Sequence, residues 1–187
     1  MKYVFILLSL LLVGCGGSRA TMEKLRSIRI GETTEARMNE MFKKPYLCRT
    51  IREGETVTKI CAYSWPYCEV ETRNGVVIGY RYLYDQKLMD QWKWEDAKLN
   101  QLVVGQSTRD DVLQLLGTPT AHAVKPTKLP FFHDEFDTPQ VAEVLAYGAC
   151  TTRSNPTDKS DDYTFLYIRL NQEGKFLSMK SETRGND

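Results

Sequence analysis

The chain of 187 residues lacks several features that would indicate particular functions. Its 25 basic and 24 acidic side chains leave no positive surplus, which argues against a nucleic acid partner. Only two histidines are present, His122 and His133, and there is no Cys-x-x-Cys pair. No glycine-rich loop resembles a phosphate cradle. We therefore expect no nucleic acid partner, no metal ion, no cofactor and no enzymatic activity.

One apolar run stands at the N-terminus, and no second stretch approaches the length needed to span a membrane. The run covers residues 3–13, follows Lys2 and is broken only by Ser9, as in a signal peptide. It ends in Gly14–Cys15, which resembles the lipobox of bacterial prolipoproteins. The sequence thus predicts a signal peptide over residues 1–14, lipidation of Cys15 and a lipidated tether over residues 15–20. An ordinary cleaved signal with an incidental cysteine is the alternative.

Four further cysteines, an even number in an exported chain, allow two disulfides in three possible pairings. A two-residue hairpin turn at Gly54–Glu55 would place Cys48 opposite Cys61, close enough for a disulfide. Cys68 and Cys150 would then form the second disulfide and connect the two halves of the chain.

An internal repeat runs through the chain, because residues 25–34 resemble residues 99–108 and the match continues to Pro45 and Pro119. Gly31 and Gly105 are predicted to end a first helix, and Thr33 and Ser107 to begin a second. Runs rich in β-branched and aromatic residues then predict strands. We expect an α+β fold of two tandem repeats, each with two helices followed by a three-stranded antiparallel sheet. Repeat 1 would cover residues 21–86, and repeat 2 residues 87–187, with insertions near 120–142 and 152–162.

Residues 104–119, with the sequence VGQSTRDDVLQLLGTP, resemble the signature of the BamE family of outer-membrane lipoproteins, also called the SmpA/OmlA family. Its pattern is a glycine, a small hydroxylated pair, a helix containing valine, and Leu-Gly-x-Pro. The first copy keeps Gly31, Thr33, Thr34 and Pro45 but has Lys43 where the second glycine would stand. Tandem copies of such a unit are also similar to the β-lactamase inhibitor proteins.

These resemblances imply a lipid-anchored, non-enzymatic protein at the outer membrane of a Gram-negative bacterium, facing the periplasm. The BamE resemblance implies a protein-binding or scaffold role in envelope maintenance or outer-membrane protein assembly, with barrel-assembly components as partners. The alternative is a protein inhibitor of a target enzyme, as in the β-lactamase inhibitor proteins. A third hypothesis, a hydrolase or metal-binding protein, would depend on His133 and the acidic residues that follow it.

Three phenylalanines mark a possible contact with a partner protein. Phe131, Phe132 and Phe136 lie in a segment that begins at Pro130, within the first predicted insertion. If their rings are exposed, they would form a contact surface. The alternative is that the segment folds back over the sheet as a lid, which would bury them.

Overall fold

A single eight-stranded antiparallel sheet dominates the computed structural model, which describes residues 23–64, 67–82, 96–152 and 161–185. The strands lie side by side in chain order, from β1 at one edge to β8 at the other. Their bounds are β1 Leu47–Glu53, β2 Thr56–Ser64, β3 Tyr67–Arg73, β4 Val76–Tyr82, β5 Ala121–Val124, β6 Glu143–Thr152, β7 Asp161–Leu170 and β8 Phe176–Gly185.

The helices are short. α1 covers Glu35–Phe42, α2 covers Asp96–Leu99 and α3 covers Arg109–Leu116, while a 3₁₀ helix covers Pro130–Phe136. Residues 23–26 form a further helical turn. Within the described residues, no helix has both the length and the apolar character needed to span a bilayer.

The predicted fold class of two helices and three strands per repeat is wrong. Within the described ranges, four strands precede residue 83 and four follow residue 120, and β4 pairs with β5 to join them into one sheet. β1, the first strand of the predicted Gly54–Glu55 hairpin, is missing from the predicted three-stranded sheet because it is exposed along most of its length and lacks an apolar alternation. β5 is missing from the prediction because it has only four residues and lies within the first predicted insertion.

The two similar segments nevertheless make matching hydrogen bonds. The Gly31 N–H donates to Val77 O, and the Gly105 N–H donates to Phe176 O, both at 2.8 Å. The N-caps are Thr34 and Thr108, one residue beyond those predicted. Thr33 and Ser107 do not cap, because their hydroxyls accept hydrogen bonds from the backbone N–H groups of Arg29 and Val103.

The sheet has a core on each face. Successive strand residues point to opposite faces, so Leu145 and Tyr147 belong to one cluster while Val144 and Ala146 belong to the other. The first cluster packs under α1 and α3, with Met38, Phe42 and Val112 as the buried helix residues. The second packs under the segment that contains the 3₁₀ helix, which includes Phe132. We call these the helix face and the 3₁₀ face.

The predicted disulfide between Cys48 and Cys61 is present, with an S–S distance of 2.04 Å. The two cysteines face each other across β1 and β2, and Gly54 takes the positive φ of 62° that the two-residue turn requires. Cys68 is a free, buried thiol, so the predicted Cys68–Cys150 disulfide is wrong. Burial among apolar side chains raises the pKa of the Cys68 thiol and keeps it protonated.

Removing the disulfide is expected to lower the free energy of unfolding by up to about 3 kcal/mol, because it closes a loop of similar length to the ~15 residues for which that value holds. The variant is Cys48→Ser with Cys61→Ala, since position 61 is buried. Urea unfolding measures the loss. Treating the unaltered protein with a reductant should reproduce the variant's midpoint, and unchanged midpoints in both experiments would contradict the prediction.

Candidate binding cleft

A cleft of about 410 Å³ lies on the helix face, where residues 25–32 approach α3 and the turn into β5. Arg26, Arg29, Arg109 and His122 line it, and Glu32 is its acidic lining residue. Leu25, Ile28, Leu113 and Pro119 supply apolar walls. The cleft therefore combines an excess of hydrogen-bond donors with apolar surface, which is the usual composition of a binding site.

A buried carboxylate, Glu143, fixes two of these donors. Its side chain is 3% exposed, and its Oε1 accepts hydrogen bonds from His122 Nε2 at 2.5 Å and Arg109 Nε at 2.6 Å. Arg109 Nη2 donates to the other oxygen, Oε2. Three elements contribute, because Arg109 opens α3, His122 lies in β5 and Glu143 opens β6.

Burial alone would raise the pKa of Glu143, since it disfavours the charged carboxylate. The hydrogen bonds and charges of His122 and Arg109 outweigh this effect and hold the pKa below its ordinary value. Glu143 is therefore ionised in the folded protein. The arrangement fixes the orientation of the Arg109 guanidinium, and the Arg109 side chain remains 48% exposed to solvent.

A larger concavity of about 590 Å³ lies between residues 101–107 and α3. Two of its polar side chains are engaged locally: the Ser107 hydroxyl accepts a hydrogen bond from the Val103 N–H, and the Asp111 carboxylate accepts one from the Thr108 N–H at the start of α3. We take the smaller cleft as the candidate site. Of the two, it is the one with a buried charged side chain, Glu143, in contact with the residues that line it.

The predicted contact residues Phe131 and Phe132 are buried, with exposures of 6% and 0%. The structure therefore shows the lid arrangement, in which the segment folds back onto the 3₁₀ face. Phe131 packs edge-on against Phe132 and Phe165, and Phe136 is partly buried in the same cluster. The prediction that these rings form an exposed contact surface is therefore wrong. Apolar burial explains the arrangement, since a buried phenylalanine contributes roughly 1.5–3 kcal/mol.

Two buried carboxylates hold the lid in place. Glu71 is fully buried in β3 and accepts hydrogen bonds from Thr127 Oγ1 at 2.5 Å and the Lys128 N–H at 2.8 Å. Glu135, within the lid itself, pairs with Arg169 at 2.7 Å and Lys180 at 3.3 Å. The lid is thus fixed to the sheet near both of its ends.

The remaining predicted residues do not join the cleft. His133 is 86% exposed, and its ring lies 3.2 Å from the carboxylate of the neighbouring Asp134. No group of His, Cys, Asp and Glu among the described residues could hold a metal ion. Cys150 lies in β6, opposite Tyr163. Cys15, the predicted lipidation site, lies outside the described residues.

Sequence reasoning missed Glu143 and Arg109 as site residues. The partners of Glu143 come from two distant elements, α3 and β5, which no spacing in the sequence connects to it. A single signal was available: a carboxylate immediately before the apolar run Val144–Ala146 would be costly to bury without a cation.

Comparison with known proteins gives one structural likeness. No protein-family model matches the chain, and no curated protein matches it. The fold is similar to that of a protein from Streptococcus mutans described as a "putative beta-lactamase inhibitor protein", with a TM-score of 0.50 and 9% sequence identity. The match covers 88% of this chain and 96% of that one. The two proteins therefore share an architecture, and the BamE resemblance rests on the sequence motif.

Proposed function

We propose that this protein binds another protein and inhibits it, without catalysing a reaction. The observation that carries the proposal is the cleft in which Glu143 holds Arg109 and His122 in fixed positions. Donors that are already ordered lose little conformational entropy on binding, so they suit recognition of a carboxylate on a partner. Arg26 and Arg29 add two exposed guanidinium groups to the same cleft.

The description of the Streptococcus mutans protein supports inhibition as the specific form of binding, because its fold matches nearly the whole chain. A scaffold role in envelope maintenance or outer-membrane protein assembly is the second candidate. It is favoured by the residues that resemble the BamE signature, from Val104 to Pro119.

The test is site-specific photocrosslinking in cells, with a photoreactive amino acid in place of the exposed Glu32 beside the cleft. The captured protein is identified, purified and titrated with the mature chain. We expect a stoichiometric complex and, for an enzyme, loss of turnover as the complex forms.

Replacing both Arg26 and Arg29 with alanine is expected to weaken this complex at least about tenfold, because each charged hydrogen bond contributes roughly 1.5–3 kcal/mol. Arg37→Ala is the matched control, since Arg37 is also exposed but lies outside the cleft. Capture at the level of an unirradiated sample would contradict the proposal. A captured enzyme that keeps its turnover would favour the scaffold role.

We further propose that a lipid on Cys15 anchors this binding module to the outer membrane, on the periplasmic side. Support comes from residues 3–15, whose apolar run ends in Gly14–Cys15. Two or more acyl chains on one cysteine would give stable anchoring, at roughly 0.8 kcal/mol per buried CH₂ group.

A further inference from the structure

The edge strand β1 is exposed along almost its whole length, and only Ile51 is partly buried. Tyr46, immediately before the strand, and Leu47, its first residue, are each 63% exposed. Large apolar side chains at this level of exposure are natural anchors for a partner. The outer side of the sheet at β1 thus offers apolar contacts as well as a strand edge.

The backbone of β1 shows which groups point outward. The Cα atoms of Cys48 and Cys61 are 4.2 Å apart, close to the ~4.5 Å of a non-hydrogen-bonded antiparallel pair. The N–H and C=O groups of Cys48 therefore point away from β2. By the period of two, those of Thr50 and Arg52 do the same. Within the described ranges, no group hydrogen-bonds to them, so this edge is open to an added strand.

The same surface is positively charged. Lys43, Lys44, Arg49 and Arg52 are exposed, and none is paired with another residue in the part of the chain that the structure describes. The acidic Glu53 is neutralised by Lys128 at 2.9 Å. Two unpaired cations therefore lie on the edge strand, and two lie shortly before it in the chain. Glu55, just after the strand, is the unpaired carboxylate among its described chain neighbours.

We propose that β1 binds an extended acidic segment of a partner protein, which adds to the sheet edge as a further strand. Main-chain hydrogen bonds to Cys48, Thr50 and Arg52 give affinity, the four cations select acidic side chains, and Tyr46 and Leu47 contact an apolar residue. A second copy of this chain is a poor occupant, because pairing two β1 strands would bring Arg49 and Arg52 of both copies together. This goes beyond the proposed function, since the surface shares no residue with the cleft.

The experiment selects binders from a displayed library of random linear peptides of about twelve residues, using the mature chain as target. Thr50→Pro removes an outward N–H without removing a hydrogen bond to β2, and proline is tolerated on an edge strand. Thr50→Val keeps the N–H and serves as the control. A second variant, Arg49→Glu with Arg52→Glu, changes only exposed charges and leaves the fold intact.

We expect the selected peptides to be acidic and to bind Thr50→Val as they bind the unaltered protein. Both Thr50→Pro and the double glutamate variant should bind at least about tenfold more weakly, because backbone and charged hydrogen bonds are lost. The Arg26→Ala, Arg29→Ala variant should bind normally, which separates this surface from the cleft. The proposal is overturned if no peptides are selected, if the selected peptides are not acidic, or if they bind Thr50→Pro as tightly as the unaltered protein. A dimer in sedimentation that Thr50→Pro converts to monomer also overturns it.

Discussion

Replacing Glu143 with alanine is expected to lower the free energy of unfolding by about 3–5 kcal/mol, as measured by urea unfolding at pH 7. The reason is that the variant leaves His122 largely buried, with an exposure of 11%, and removes the carboxylate that also holds Arg109. Single substitutions rarely lower the free energy of unfolding by this much. A loss of this size would therefore show that Glu143 belongs to a buried ion pair and not to an exposed one.

Two comparisons make the Glu143 result specific. Glu40→Ala removes an exposed carboxylate that pairs with Arg37, and its effect should be close to zero. Glu143→Gln keeps the shape of the side chain but removes its charge. Its free energy of unfolding should therefore fall by less than that of the alanine variant. A Glu143→Ala protein that unfolds at the same urea concentration as the unaltered protein would contradict the prediction.

The contribution of Glu143 should also depend on pH in a defined direction. Its pKa in the folded protein is below the ordinary value of 4.5, so the unfolded chain binds more protons in the interval between the two values. The stabilisation is therefore complete above about pH 4.5 and is lost as the pH falls below that value. The difference in stability between the unaltered protein and Glu143→Gln should shrink over the same interval.

Replacing Cys15 with serine is expected to abolish lipid labelling and to move the protein from the membrane fraction to the soluble fraction. Serine has no thiol to carry the diacylglycerol, and without acyl chains the module loses its proposed anchor. Metabolic labelling with radioactive palmitate, followed by detergent phase partition, measures both effects.

Ser18→Ala is the matched control for Cys15→Ser, because it changes a nearby small residue without touching the thiol. It should remain labelled and in the membrane fraction. If the unaltered protein takes up no palmitate, or if Cys15→Ser is still labelled, the anchor proposal fails while the two binding surfaces remain testable.

Most of the strands could be predicted from the sequence, because their signals are local. Asn74 and Gly75 adopt positive φ values of 50° and 81°, which are the conformations that an Asn-Gly hairpin turn requires. An Asn-Gly pair between two β-rich runs therefore predicts the β3–β4 hairpin directly. The Cys48–Cys61 disulfide followed from counting residues outward from a similar turn. Turn residues close to the strands in sequence therefore determine the pairing of β1 with β2 and of β3 with β4.

The errors arose where structure depends on distant residues. β5 has only four residues, Ala121–Val124, and it is a strand because β4 and β6 pair with it on both sides. Likewise, Phe132 is buried because its segment packs against apolar residues of distant strands, and Glu71 and Glu135 anchor that segment to the sheet. The Glu143 site joins three elements that no spacing rule connects. In each of these three cases tertiary packing determines the structure, and the hydrophobic periodicity of the sequence does not indicate it.

The pairing of β4 with β5 has a consequence for the order of folding. Each strand pairs only with its neighbours in the chain, so most contacts are local and can form early. β4 and β5 are the exception: residues 83–120 separate them, and only three residue pairs join them, Gly79–Ala123, Tyr80–His122 and Arg81–Ala121. Closing this long connection costs more chain entropy than any hairpin does. We therefore expect docking of the two four-stranded halves to be the last step of folding, and the cleft to form only then, since residues 25–32 and α3 come from opposite halves.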